Sequence, residues 1–209
     1  MRIYLTNTGK LELLYMMKES SGKLGNMLIA NNFRIPKQYT HYAVDNGAFS
    51  AYLNKTNFDG KKFLKTVNRL NEFKKPDFIV VPDIVAGGMK SFDFSMFWLH
   101  KLLSEGHTNY DYYFAVQDFM NLKVISKISN EKINGIFIGG TLKWKLKHGE
   151  QFTKEAHDFD LKVHIGRVGN YKNLVWANRI KADSTDSSTI NRNNKIWLLE
   201  DFKKQSTLL

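Results

Sequence analysis

The stretch "DSTD" sets Asp183 and Asp186 three apart among hydroxyl side chains, after the apolar end of "RIKAD". Paired carboxylates can stabilise or trap a developing cation, and can carry a proton to or from a reacting group. More polar residues fall where apolar runs end: Asp45 closes "HYAVD", Asp83 closes "DFIVVPD", Gln117 closes "YYFAVQ", and Gly139 and Gly140 close "GIFIGG". Each alone also reads as a turn former or a helix cap. Together they offer two further carboxylates, an amide that donates and accepts in one plane as purine recognition requires, and glycines that let a ligand approach the backbone. Phe49 in "DNGAF" supplies a flat apolar wall for a ring, beside Asn46.

These residues need a frame that makes them converge. Short apolar runs recur at 2–6, 26–30, 41–45, 77–83, 112–117, 135–140, 162–166 and 179–183. Between them lie segments of helical period: in 61–73, Phe63, Leu64, Val67, Leu70 and Phe73 share one face, and 91–105, 120–129 and 170–179 read the same way. Strands alternating with helices imply a parallel sheet. Eight candidate strands predict an α/β protein, a compact (β/α)8 barrel forming a single domain over residues 1–209, with an open doubly wound sheet as the competitor. In such a barrel the strand-to-loop residues line the C-terminal mouth, where these folds keep their active sites. The turn at 183–186 would rim that mouth after the last strand, with Ser184, Ser187 and Ser188 orienting its carboxylates.

Charge narrows the partners. Thirty-one Lys and Arg against twenty Asp and Glu give a net charge of +11, which favours a polyanion, nucleic acid or an anionic membrane surface. The positive residues are dispersed; Lys143 and Lys145 flank Trp144, which either covers the core edge under snorkelling lysines, the favoured reading, or offers a stacking ring between phosphate contacts. No apolar stretch approaches the roughly 20 residues of a membrane span, and the polar turn after five residues gives no sign of a secretory signal. The absence of cysteine excludes disulfides and thiolate zinc sites, in keeping with a cytoplasmic setting.

The order "DNGAF" (45–49), "VPD" (81–83), "AVQ" (115–117), "IGG" (138–140), "GRVG" (166–169) and "DSTD" (183–186) resembles the queuine/archaeosine tRNA-guanine transglycosylase superfamily. The resemblance implies a barrel enzyme that exchanges guanine in a polynucleotide for a free 7-deazaguanine base, with neither metal nor cofactor. It implies Asp186 as nucleophile on the sugar C1′, Asp183 remaining a second candidate, and Asp45 as the proton-transferring carboxylate. Asp83, Gln117, Gly139 and Gly140 would bind the base edge, Phe49 would stack on it, Asn46 and Gly169 would complete the pocket, and Lys143, Lys145, Arg167 and Arg192 would hold the polynucleotide. The chain departs from the tRNA enzymes: it has no cysteines for their zinc site, Asn46 and Ala48 replace the family's Ser and second Gly, and "TLKWK" follows "IGG". Its 209 residues are expected to be filled by the barrel, with none over for an RNA-binding domain. These differences lean toward the compact DNA-modifying branch, with DNA and a free 7-deazaguanine base, such as 7-cyano-7-deazaguanine, as partners. A tRNA-specific enzyme, a barrel metallohydrolase using His164 with Asp45, Asp83 and Asp183, and a non-catalytic nucleic-acid-binding barrel are the alternatives.

Overall fold

The computed structural model describes residues 1–192; residues 193–209 lie outside them, among them Lys195, which ends the sequence run "INRNNK" (190–195). Eight strands alternate with helices: β1 (Arg2–Thr6), α1 (Leu11–Glu19), β2 (Leu24–Ile29), β3 (His41–Asp45), α2 (Ala48–Leu53), α3 (Gly60–Arg69), β4 (Ile79–Val80), α4 (Met89–Ser104), β5 (Tyr112–Val116), α5 (Lys123–Ile128), β6 (Gly135–Ile138), α6 (Leu142–Asp158), β7 (Lys162–Ile165), α7 (Tyr171–Arg179), β8 (Ser184–Ser187) and α8 (Thr189–Arg192). All strands are parallel, and β8 pairs back onto β1 from Arg2↔Ser184 to Leu5↔Ser187, closing an eight-stranded barrel. The open-sheet alternative is thereby excluded.

Alternation along the strands builds two cores. Outward residues such as Leu5, Leu28, Val44, Phe114, Ile136, Val163 and Ile165 are buried in one cluster with helix residues such as Phe63, Val67 and Leu99. The inner cluster comprises Tyr4, Met27, Ala43, Phe78, Val80, Tyr113 and Ala115, with Phe78 and Tyr113 stacked at 4.0 Å. Gly135 has to be glycine beside that stack, because a Cβ there would sit 2.6 Å from the Tyr113 ring and from Lys162 O. At the N-terminal end of the barrel, Asp77 draws Arg2 and His41, each at 3.0 Å, and accepts from the Tyr4 hydroxyl at 2.8 Å.

Seven strands fall within or across the apolar runs of the sequence, and the eighth does not. The run 179–183 is the end of α7 and the turn after it, where Ile180 and Ala182 are buried. The polar "STDS" that follows is the strand, with all four residues buried. Most of its polar side chains are bonded: Thr185 Oγ1 donates to Ile165 O at 2.7 Å, and Ser184 and Asp186 both meet His164 inside the barrel, while Ser187 Oγ is buried without a partner among the described residues. Among the described residues, no helix is long and apolar enough to cross a membrane.

Candidate active site at the barrel mouth

A cavity of about 190 Å³ opens at the C-terminal end of the strands. Asp45, Asn46, Phe49, Asp83, Gln117, Gly139, Gly140, Arg167, Asp186 and Arg192 all line it, so most of the residues picked out in the sequence converge on one place. Its size lies below the roughly 300–1,000 Å³ of drug-sized ligand sites, which suits one planar heterocycle. A larger hollow of about 590 Å³ lies at the opposite end, among Arg2, Asp77, Asp111 and Asp183. That is the end where barrel conservation serves stability rather than chemistry.

Asp186 is the most firmly held carboxylate of the mouth. Its Oδ1 accepts from the Arg167 backbone N–H at 2.8 Å and meets His164 Nε2 at 3.2 Å, while Oδ2 meets Thr6 Oγ1 at the long distance of 3.4 Å. Burial disfavours its anion, but the bonds from His164 and Arg167 outweigh burial and hold the carboxyl below the usual carboxylate range. His164 has no solvent exposure; it stacks on Phe137 at 4.9 Å with Tyr4 and Phe78 close by. Burial pushes its pKa down against the pull of Asp186, which favours the neutral ring. An ionised carboxylate only accepts, so Nε2 carries the proton, and Nδ1 accepts from the Ser184 hydroxyl at 2.9 Å. Ser184–His164–Asp186 is thus a directed chain ending on Oδ1, which also holds the Arg167 bond, and among the described residues it leaves Oδ2 with only the long Thr6 contact. The serines were expected to bond the carboxylates directly; Ser184 acts instead through His164.

This chain gives the first expected result. His164→Ala should raise the Asp186 pKa and destabilise the fold by about 1–3 kcal/mol, because a buried acceptor loses one of its two donors. His164→Gln, which keeps an N–H near the Nε2 position, should restore most of both. Carboxyl NMR titration and chemical denaturation read the two quantities; equal pKa values for Asp186 in all three proteins would contradict the assignment.

On the opposite wall, β3 and β4 are tied together by Asn46, whose Nδ2 donates to Val81 O at 2.8 Å and to Asp83 Oδ1 at 2.9 Å. Asp45 accepts from the Gly47 N–H at 2.7 Å, a turn that Gly47 makes at φ 84°. Burial, reinforced by the nearby Asp186 and Asp83, raises Asp45 to about 6, even though the Gly47 bond opposes the rise. Burial also raises Asp83 to about 6, against its bonds from Asn46 and Gln117. Gln117 does not present the open amide edge that was expected. Its Oε1 accepts from Ala86 N at 2.6 Å, and its Nε2 donates to Ile84 O and Ser91 Oγ, each at 2.9 Å, and to Asp83 Oδ2 at 3.3 Å. Its work is to brace the loop after β4 and to orient Asp83.

The glycine pair divides its duties. Gly139 N–H is spent on Val116 O at 2.8 Å. Gly140, at φ 74°, carries no bond on its N–H among the described residues; a Cβ there would lie 2.4 Å from Asp118 Oδ2. Arg167 crosses the mouth, stacked 3.7 Å over the Phe49 ring and donating to Gly140 O at 3.1 Å.

Four sequence expectations are corrected. Asp183 precedes β8 rather than following it. It lies about 10 Å below Asp186 along the strand, accepts from Val163 N at 2.7 Å and meets His157 Nε2 at 3.0 Å, outside the mouth. Lys145 is 3 % exposed and donates to Gly166 O, so it does not flank Trp144 as a phosphate contact; burial lowers it to about 8. Trp144 beside it packs on Phe152 at 5.3 Å, the core-edge position favoured from the sequence, and Lys143 is exposed. Gly169 does not line the cavity; its nearest neighbour is Thr189. His164 faces Asp186 and not Asp83 or Asp183, and among the described residues no group of three or more His, Asp or Glu could hold a metal ion.

Phe137 and Thr6, which line the cavity, and His164, buried beneath Asp186, are among the residues that the motifs did not supply as a set. Strand alternation could have found the last, since Val163 and Ile165 pack outward and leave His164 facing in. Gly166 belongs with them: a Cβ there would meet the Phe137 ring at 2.5 Å. Comparison of the chain with protein-family models and with curated proteins finds no match.

Proposed function

We propose that the protein exchanges guanine in DNA for a free 7-deazaguanine base, through a covalent bond between Asp186 and the sugar C1′. The observation that supports this most is the arrangement around the 190 Å³ cavity: a carboxylate with one oxygen held by two bonds and the other by the long Thr6 contact, beside two carboxylates with raised pKa values and a flat aromatic wall. The target guanine leaves the stack, at a cost of a few kcal/mol, and enters the cavity against Phe49 once Arg167 yields its place. Asp83 accepts from the adjacent N1–H and 2-amino donors of the base, and Gly140 N–H donates to O6.

In the first step Asp186 Oδ2 attacks C1′. The C1′–N9 bond breaks, its electron pair stays on N9, and protonated Asp45 supplies the proton that neutralises the leaving guanine. A carboxylate suits this step because the sugar passes through an oxocarbenium-like state that an adjacent anion stabilises and then traps. In the second step N9 of the incoming base attacks C1′, its proton passes to Asp45, and the ester bond to Asp186 breaks. Two inversions retain the β configuration. A proton-transferring group with pKa near 6 is poised for both directions of transfer. The net charge of +11 supplies the attraction for the polyanion.

A guanine-containing oligodeoxynucleotide incubated with 7-cyano-7-deazaguanine should gain the mass difference between the two bases, with its backbone intact. The same reaction on tRNA should be slower. Unchanged masses for both DNA and tRNA would overturn the proposal, and faster exchange on tRNA would overturn its DNA preference.

A further inference from the structure

Beside the base-sized cavity lies a second one of about 320 Å³, and Phe49, Val85, Gly140 and Arg167 belong to the walls of both. The Arg167–Phe49 stack is therefore a partition between two compartments. On its far side the Tyr52 ring lies 6.3 Å from Phe49, inclined by only 27°, and Tyr52 is 56 % exposed. Phe119, next to the wall residue Asp118, is 82 % exposed and held at φ 67°. Bulky residues rarely take that left-handed conformation, so an aromatic ring is presented to solvent at a cost to the backbone. Neither ring belongs to the packed core. Positive charge comes from Arg167 in the partition.

Exposed rings beside cations are what holds unpaired bases, since every base offers a π-face and every nucleotide a phosphate. A nucleotide whose base fills the first cavity has its chain neighbour within one nucleotide's reach of the partition, whose residues line both cavities. We infer that the second cavity takes the base of that neighbouring nucleotide, unpaired and stacked on Tyr52. The substrate would then be single-stranded or locally opened DNA, read as two splayed nucleotides. This inference rests on the base-exchange reading and adds a subsite to it.

The test uses short single-stranded oligodeoxynucleotides with one guanine, carrying either natural neighbours or an abasic site on the 5′ or the 3′ side. An abasic neighbour on one side should raise KM for exchange by at least about fivefold, the scale of one lost base–aromatic stack. Tyr52→Ala should raise KM equally on the natural oligonucleotide, and the abasic site should then add nothing; Tyr52→Phe should behave as wild type. If guanine is exchanged but neither abasic neighbour nor Tyr52→Ala changes KM, the subsite is overturned while the exchange reading stands. If no guanine is exchanged on any polynucleotide, both fall.

Discussion

Asp186→Asn is expected to slow base exchange by about three orders of magnitude or more, the scale on which losing a covalent nucleophile is felt. The fold should hardly notice. Asparagine keeps an oxygen where His164 Nε2 and the Arg167 N–H converge, so both bonds to that atom survive. Unfolding free energy should change by about 1 kcal/mol. Polynucleotide binding should persist, because cationic side chains supply it. Asp183→Asn is the contrasting control. It loosens the contacts to Val163 and His157 at the other end of the barrel, so it should alter stability while leaving the exchange rate within about threefold of wild type. Steady-state exchange, thermal melts and a binding titration on the two variants separate these outcomes. An Asp183→Asn protein that is inactive beside an active Asp186→Asn protein would reverse the assignment.

Asp45→Asn should produce the second large effect, with opposite signs for activity and stability. Loss of the proton carrier should lower exchange by about 100-fold to 10,000-fold, the usual contribution of a positioned acid or base. At pH 7.5 the same change should stabilise the fold by about 1–3 kcal/mol, because a raised pKa means that the folded state resists ionisation. The sign follows from proton counting. With a folded pKa of about 6 against about 3.9 unfolded, the native protein binds more protons between these values, so Asp45 costs stability above pH 6 and nothing below pH 4. The difference in unfolding free energy between wild type and Asp45→Asn should therefore shrink as pH falls from 7 to 4. In wild type, guanine release should decline as pH rises through about 6, since that step uses the protonated acid; in the variant this dependence should flatten. Denaturation at several pH values and single-turnover guanine release measure both. An unchanged pH profile in the variant would move the proton-transfer role elsewhere, Asp83 being the neighbour with a similar value.

Much of the barrel could be read from its sequence because six of the seven apolar runs that hold strands end in a polar residue or a glycine, namely Thr6, Asp45, Asp83, Gln117, Gly140 and Gly166. β8 could not be found that way. Its four residues are Ser, Thr, Asp and Ser, and it is held by side-chain bonds to His164 and Ile165 rather than by apolar burial. Hydropathy therefore selected the preceding segment, whose Ile180 and Ala182 pack against the helix layer, and the two aspartates were read as one turn. A strand separates them instead, which is why one reaches the mouth and the other does not. The Lys145 expectation failed for a related reason. "KWK" looks like a solvated basic patch, but Lys145, Gly149, Phe152, Thr153 and Ala156 recur at helical spacing and form the buried face of α6. Gly149 sits at that face because Trp176 packs against it, 2.9 Å from where a Cβ would be. For Gln117, residue type and position were legible but its bonding was not, since its partners Ala86, Ile84 and Ser91 come from a loop and a helix whose path the sequence does not display.

The most direct measurement is intact-protein mass spectrometry after reaction with a guanine-containing oligodeoxynucleotide and no incoming base, followed by peptide mapping of any adduct. The account predicts one equivalent of released guanine per trapped oligonucleotide, with the sugar ester on Asp186, discharged on adding a 7-deazaguanine base. An adduct on another residue, or exchange that proceeds at the wild-type rate in Asp186→Asn, would contradict it.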